Sequence, residues 1–156
     1  MLITEQKDLD AFCKSLKSSE FITVDTEFLR EKTYYPKLCL IQISGPDGDA
    51  RAIDTLEEGL DLTPVYNLLF DKGILKIFHA ARQDLEIFFN LTEQVVQPIF
   101  DTQIAAMVCG YGDSVGYESL VRNICEKQLD KSSQFTDWSR RPLSERQLHY
   151  ALGDVT

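Results

Sequence analysis

The chain has 156 residues, of which 44% are hydrophobic and 26% charged, as is typical of one globular domain with its own core. Its 25 acidic residues outnumber 16 basic ones and give a formal charge of -9, which argues against a protein that holds nucleic acid by overall positive charge. No apolar run reaches the roughly 18 residues of a membrane span, and the four cysteines match no zinc-ligand spacing. We therefore expect a cytoplasmic protein with free thiols and no membrane partner.

The predicted elements begin with strands and continue with strands and helices in alternation, which favours an α/β sheet covered by helices. In chain order they are a helix over residues 4–18, strands over 21–28, 38–44 and 51–54, a helix over 63–70, a strand over 74–78, helices over 80–90, 103–109 and 117–124, an irregular stretch over 126–142, and a last helix. Thr63 before Pro64 predicts an N-cap with proline at the first helical position. Ser144 with Gln147 predicts a capping box that opens the last helix.

Two acids interrupt the first predicted strand, in the segment Val24-Asp25-Thr26-Glu27. Side chains alternate along a strand, so Asp25 and Glu27 lie on the same face, where their charges repel each other. A hard cation such as Mg²⁺ between them would relieve that repulsion. The alternative is that Asp25 caps the end of the strand and Glu27 is solvated.

Further acids downstream are candidates for the same site. Asp84 lies in the first turns of a helix after a buried strand, where α/β proteins place their ligands; the alternative is an acid that only complements the helix dipole. Tyr150 and Asp154 are four residues apart and share a helix face, which is either presented to a cleft or simply exposed. Asp101 is interpreted as the N-cap of the following helix, with a supporting role at the site as the alternative. Carboxylates that converge on two divalent cations form a phosphodiester-cleaving site.

These motifs, in this order, resemble the DEDD superfamily of 3′→5′ exonucleases, and within it the tyrosine branch and the ribonuclease D family. The resemblance is carried by the segments VDTEFLREKTYYPKLCLIQIS, HAARQDLEIF, FDTQIAA, LDKS and DWSRRPLSERQLHYALGDV. It implies a ribonuclease H-like mixed β-sheet flanked by α-helices. It also implies two divalent metal ions, Mg²⁺ or Mn²⁺, and release of nucleoside 5′-monophosphates from RNA. The implied partner is RNA with a single-stranded 3′ end, notably tRNA precursors, and no obligate protein partner is indicated.

The resemblance also implies a role for each acid. Asp25, Glu27 and Asp154 would hold the ion that activates water. Asp25 would bridge to the second ion, with Asp84 helping directly or through water. Tyr150 would orient the attacking water.

His149 offers a competing pattern, because H-x-x-x-x-D marks a histidine branch of the same superfamily. On a helix that advances roughly 100° per residue, Tyr150 lies about 40° from Asp154 and His149 about 140° from it. The geometry favours Tyr150. A tyrosine with a pKa near ~10 is a poor base at neutral pH, so we assign it to orientation of the water.

Several residues are predicted to contact the substrate. Phe28 is expected either to wedge against the terminal base or to join the core, and His79 begins one of the resembling segments. Arg140 and Arg141 form a basic patch. Further candidates are Arg30, Lys32, Tyr34, Tyr35, Lys37 and Lys131. The weakly basic stretch over 121–146 also holds Phe135 and Trp138 and either stacks on bases or is a solvated loop.

The sequence fits two other functions as well. The same carboxylates would serve a DNA 3′→5′ exonuclease, and a catalytically silent RNA-binding module would share the fold. We expect residues 1–156 to form one exonuclease domain, truncated at its C-terminal end and without a C-terminal helical RNA-binding domain.

Overall fold

A mixed β-sheet forms the centre of the part of the chain described by the computed structural model, which is residues 1–30, 33–129 and 136–156. Its six strands are β1 (Leu2–Ile3), β2 (Phe21–Leu29), β3 (Lys37–Ser44), β4 (Ala50–Asp54), β5 (Leu75–Phe78) and β6 (Ile99–Asp101), in the order β1-β4-β3-β2-β5-β6. β2 pairs antiparallel with β3 and parallel with β5. The strand that carries both acids of the D-x-E motif therefore lies inside the sheet.

The four predicted strands are confirmed within one or two residues, whereas β1 and β6 were not predicted. Both missed strands are two or three residues long, too short for a period of two to be visible. They add to the edges of the sheet, each parallel to a longer strand.

Helices cover the sheet, and each one had been predicted from the sequence. In the described residues they are α1 (Gln6–Leu16), α2 (Thr63–Phe70), α3 (Arg82–Thr92), α4 (Thr102–Val108), α5 (Tyr117–Cys125) and α6 (Glu145–Gly153). The capping box of Ser144 and Gln147 is confirmed. The predicted cap of α2 is wrong: Thr63 is already inside the helix, and its backbone N–H donates to the Asp61 carboxylate at 2.9 Å. None of the described helices has the length and apolar character needed to cross a membrane.

The sheet has two different faces. The larger core packs Ile22 and Val24 of β2 with apolar residues of α1, α2 and α3. On the other face, Leu40 and Ala52 pack beneath α6 and Trp138. Alternation along β2 places Asp25 and Glu27 on the face covered by α6.

A β-bulge interrupts the pairing of β2 with β3 just after Glu27. Glu27 pairs with Leu40 and Phe28 with Leu38, so Cys39 is the extra residue. Phe28 packs against the larger core. Of the two roles predicted for Phe28, the structure supports the core position rather than the wedge.

Candidate active site

Three carboxylates meet where β2 approaches the end of α6. Asp25 and Glu27 come from β2, and Asp154 is the C-cap residue of α6. One carboxylate oxygen from each lies within 4.8 Å of the others. The Thr23 hydroxyl donates to the backbone carbonyl of Val155 at 2.6 Å, and this bond fastens the end of α6 to β2.

The electrostatics of this cluster favour a cation. Burial raises the pKa of Asp25 well above its usual range, and the charges of Asp84, Asp154 and Glu27 add to the shift. Burial and the charges of Asp154 and Asp84 raise the pKa of Glu27 to about 9. All three carboxylates offer hard oxygen ligands, and their mutual repulsion is what a divalent cation would remove. The residues present therefore fit a divalent metal site.

Asp84 lies close to this cluster but outside it. It sits in the first turn of α3, is buried, and accepts a hydrogen bond from the Thr26 hydroxyl. Burial raises its pKa to about 6. The sequence predicted four converging carboxylates, and the structure brings three together with Asp84 held behind them.

Thr26 was missed by the sequence analysis. A hydroxyl residue between the two acids of a buried strand was the available signal, because it must point to the opposite face.

Tyr150 lies one helical turn before Asp154 and hydrogen-bonds to its carboxylate. Burial, followed by the charges of Asp154 and Glu27, raises the pKa of the phenol, so the hydroxyl keeps its proton at neutral pH. Its ring centroid is 6.1 Å from that of Trp138. His149 is exposed and lies on the wall of the same cavity. The arrangement supports Tyr150 as a hydrogen-bonding group beside the carboxylates.

A cavity of about 410 Å³ opens over the carboxylates. His79 and Tyr117 form part of its wall, with ring centroids 5.4 Å apart. The His79 Nε2 donates to the backbone carbonyl of Val115 at 3.1 Å, and its Nδ1 lies 2.9 Å from the Thr102 hydroxyl. His79 therefore ties the segment before α5 to the start of α4, and its contact with substrate stays a prediction. Tyr117 was missed, since no motif marks it.

Asp101 is confirmed as the N-cap of α4, accepting from the backbone N–H of Gln103 at 2.8 Å. Its carboxylate also accepts from the backbone N–H groups of Ala80 and Ala81 at 3.0 and 2.9 Å. It therefore shapes the turn that leads from β5 into α3 and so helps to position Asp84.

The two arginines of the predicted basic patch, Arg140 and Arg141, have different environments. Arg141 is engaged by the protein: its guanidinium contacts both oxygens of buried Asp54 at 2.6 Å and donates to the carbonyls of Cys39 and Trp138. These contacts give Arg141 a structural role, and its contact with substrate stays a prediction. Arg140 is exposed and remains a candidate RNA contact.

The other predicted substrate contacts have mixed outcomes. Arg30 pairs with Glu86 at 3.0 Å. Lys37, Tyr34 and Tyr35 are exposed. Trp138 is buried and anchors its segment in the packing beneath α6. Lys32, Lys131 and Phe135 lie outside the described residues.

Comparison with known proteins supports the resemblance found in the sequence. A family model described as 3′-5′ exonuclease matches residues 1–156. Ribonuclease D of Jannaschia sp. (strain CCS1) is 58% identical over 99% of this chain, and the chain spans 41% of that protein. The chain thus covers about two fifths of the curated relative.

Solved structures agree with these sequence matches. The crystal structure of Escherichia coli RNase D, described as an exoribonuclease involved in structured RNA processing, has a TM-score of 0.93 at 41% identity, covering 99% of this chain and 41% of that one. Brucella melitensis NrnC with bound Mg²⁺ has a TM-score of 0.78 at 31% identity, covering 90% of this chain and 69% of that one. By its fold, its acidic cluster and the match along its whole length, this chain belongs to the 3′-5′ exonuclease family.

Proposed function

We propose that this protein is a 3′→5′ exoribonuclease of the ribonuclease D type, which hydrolyses the terminal phosphodiester of RNA and releases nucleoside 5′-monophosphates. The observation that carries the proposal is the cluster of Asp25, Glu27 and Asp154 within 4.8 Å, with the Tyr150 phenol beside it. The repulsion among three half-buried carboxylates at the floor of a cavity is unfavourable unless cations bind there. With divalent cations bound, such a cluster is suited to phosphodiester hydrolysis.

Asp25, Glu27 and Asp154 would hold the metal, with Asp84 contributing from behind. The chemistry supplied by two bound divalent cations, Mg²⁺ or Mn²⁺, is activation of water and stabilisation of the departing 3′ oxygen. The Mg²⁺-bound neighbour supports the choice of ion.

The protein's own groups position the reactants. Tyr150 keeps its proton because its pKa is raised. Its single O–H is bonded to the Asp154 carboxylate in the metal-free structure, and when Asp154 binds a cation that O–H would turn to the attacking water or to the phosphate. The cavity over the acids, about 410 Å³, has room for a terminal nucleotide. An unpaired 3′ end is the proposed substrate, as the resemblance to ribonuclease D implies.

RNA is favoured over DNA as the substrate class. The support is similarity to ribonuclease D proteins and to an exoribonuclease involved in structured RNA processing. tRNA precursors are the proposed natural substrate, and a cytoplasmic location stays a prediction. A catalytically silent RNA-binding module is disfavoured, because the four acids and Tyr150 are all present.

Digestion of a 5′-labelled RNA with an unpaired 3′ tail tests the proposal. Wild type is expected to shorten the RNA stepwise from its 3′ end with Mg²⁺ or Mn²⁺ and not with EDTA, and to act less on the matching DNA. Asp25→Asn is expected to abolish the ladder, and Tyr150→Phe to slow it. Asp8→Asn removes one charge from an exposed acid of α1 and is the matched control.

Each other result has a definite meaning. Equal digestion of DNA would favour the DNA exonuclease. RNA binding without a ladder, in a folded wild-type protein, would favour the silent binding module. Digestion that persists in Asp25→Asn would exclude the carboxylate cluster as the active site.

A further inference from the structure

Gln42, in β3, is a buried amide without a hydrogen-bond partner. The side chain is 0% exposed, and neither Oε1 nor Nε2 contacts a partner among the residues that the structure describes. A buried amide left unpaired costs about 1–3 kcal/mol, and the great majority of buried polar groups in proteins are satisfied. This position therefore retains a polar side chain where an apolar one would pack at lower free-energy cost.

The strand register places Gln42 next to the proposed metal site. Gln42 is directly opposite Asp25 in the antiparallel pair of β2 and β3, so the two side chains leave the same face of the sheet. Directly opposed residues have Cβ atoms roughly 4.5–5.5 Å apart, which is within reach of an amide and a carboxylate. On the other side, β4 pairs Ala52 with Gln42, and alanine offers no polar side-chain atom.

Apolar residues pack on the same face of the sheet as Gln42. Ala151 of α6 and Leu40 of β3 are fully buried on the same face. Of the two residues that pair directly with Gln42 across the sheet, Asp25 and Ala52, Asp25 is the one whose side chain can accept from the amide. A carboxylate that binds a metal has lone pairs left over, and donors to those lone pairs hold such ligands in place.

We infer that Gln42 is a positioning residue of the metal site: its Nε2, unpartnered in the metal-free structure, donates to the Asp25 carboxylate once that carboxylate holds a cation, and keeps it in place. The inference rests on the proposed function, because it requires Asp25 to be a metal ligand. It explains why an amide occupies the middle of the apolar strand CLIQIS.

The test compares Gln42→Met, an apolar side chain of similar length, with wild type. We expect metal-free Gln42→Met to unfold at the same or a higher urea concentration, because the unpaired amide is gone. We expect its Mn²⁺ affinity, measured by titration calorimetry, to fall by about tenfold to a hundredfold. RNA cleavage should lose kcat with KM for RNA unchanged. Ser44→Ala, on the same strand face and bonded to the Gly45 carbonyl, should keep wild-type Mn²⁺ affinity.

The outcomes separate this inference from the proposed function. Unchanged Mn²⁺ affinity in Gln42→Met, beside a wild type that binds Mn²⁺, overturns the inference alone. A wild type that binds no Mn²⁺ overturns both. Gln42→Leu is the second variant: if it and Gln42→Met both fail to fold, Gln42 is required for the core and the positioning role is rejected.

Discussion

At the residue scale, one hydrogen bond holds Asp84, the carboxylate that lies next to the cluster of Asp25, Glu27 and Asp154. The Thr26 hydroxyl donates to Asp84, and both side chains are buried. Thr26 reaches Asp84 because it leaves β2 on the face opposite Asp25 and Glu27, where α3 packs. β2 therefore presents Asp25 and Glu27 on one face, and on the opposite face its Thr26 holds Asp84 by a hydrogen bond.

Replacing Thr26 by valine keeps the shape of this side chain and removes the hydroxyl. At pH 8 the Asp84 carboxyl, with its pKa of about 6, is ionised and has lost a donor. We expect the free energy of unfolding, measured with urea in EDTA, to fall by about 1–3 kcal/mol, and RNA cleavage to slow. Thr26→Ser keeps the hydroxyl and should stay closer to wild type. Equal losses in both variants would assign the effect to methyl packing instead.

The carboxyl groups of the metal-free site also predict a pH dependence. Glu27 has its pKa raised from 4.5 to about 9, Asp84 from 3.8 to about 6, and Asp25 is raised as well. The folded state therefore holds protons that the unfolded chain has released. The stability contributed by these groups is complete below about pH 4 and is lost as the pH rises through the folded pKa values.

Urea unfolding in EDTA from pH 6 to pH 9 measures this dependence. We expect the free energy of unfolding to fall with pH, by about 1.4 kcal/mol per pH unit for each proton retained. Glu27→Gln should flatten the slope, because the amide does not titrate. A stability that is level or rises over this range in wild type would contradict the prediction.

At the scale of elements, the position of α6 determines the geometry of the site, because this helix carries both Tyr150 and Asp154. Its start is closed by a capping box and its end is bonded to β2. The segment before it is clamped to the end of β4 by Arg141 and Asp54. These contacts together hold the helix in the position from which Asp154 reaches the acids of β2.

Arg141→Ala is expected to destabilise the fold strongly. The Asp54 side chain is 3% exposed, so removing its partner leaves a buried charge unpaired, which costs about 3–5 kcal/mol. Arg140→Ala removes an exposed arginine next to it and should change stability by less than about 0.5 kcal/mol. Thermal and urea unfolding of both variants measure the difference. Similar stability in the two variants would reject the clamp.

Local signals explain which elements could be predicted from the sequence. The strand around Asp25 and the capping box at Ser144 were predicted because their patterns span only a few neighbouring residues. The pairing of Arg141 with Asp54 joins residues 87 positions apart, and no local pattern marks it. The cap of α2 was misplaced because threonine before proline is a typical helix start, while the nearby Asp61 carboxylate is the group that accepts from Thr63.

The same reasoning applies to the site. The spacing of Asp25 and Glu27 predicted a shared strand face, and that of Tyr150 and Asp154 a shared helix face. The structure brings the three acids of these two pairs together. The position of Asp84 behind the cluster depends on its contact with Thr26. That contact joins β2 to α3, and only the packed fold brings those two elements together.

At the scale of the whole molecule, the negative charge must be reconciled with the proposed substrate, RNA, which is a polyanion. The formal charge is -9, so RNA is expected to approach along local basic residues. Arg140 is exposed and lines, with Arg146, a groove separate from the acidic cavity. This groove is a candidate path for the RNA backbone.

Binding of labelled RNA to Arg140→Ala tests that path, measured in the Asp25→Asn background so that the RNA stays intact. We expect weaker binding and a salt dependence reduced by about one phosphate contact. Lys14→Ala removes an exposed positive charge from α1 and should bind as the parent does. Unchanged affinity and salt slope in Arg140→Ala would place the RNA path elsewhere.

A bound cation would also join distant parts of the chain. The D-x-E strand and the end of α6 are linked by the bond from Thr23 to Val155, which lie 132 positions apart. A cation held by Asp25, Glu27 and Asp154 would add a second link between the same two elements. Ligand binding of this kind stabilises the folded state by about 2.7 kcal/mol at a concentration one hundred times the dissociation constant.

Hydrogen exchange with and without Mn²⁺ tests this link directly. If the cation holds the end of α6 against β2, amides in the last turn of α6 should exchange more slowly when Mn²⁺ is added, because opening of that turn must first release the ion. Asp154→Asn should lose this protection, whereas Asp8→Asn should keep it. If Mn²⁺ binds and leaves exchange in α6 unchanged, Asp154 is not a ligand, and the site would then have to be built from β2 and Asp84 alone.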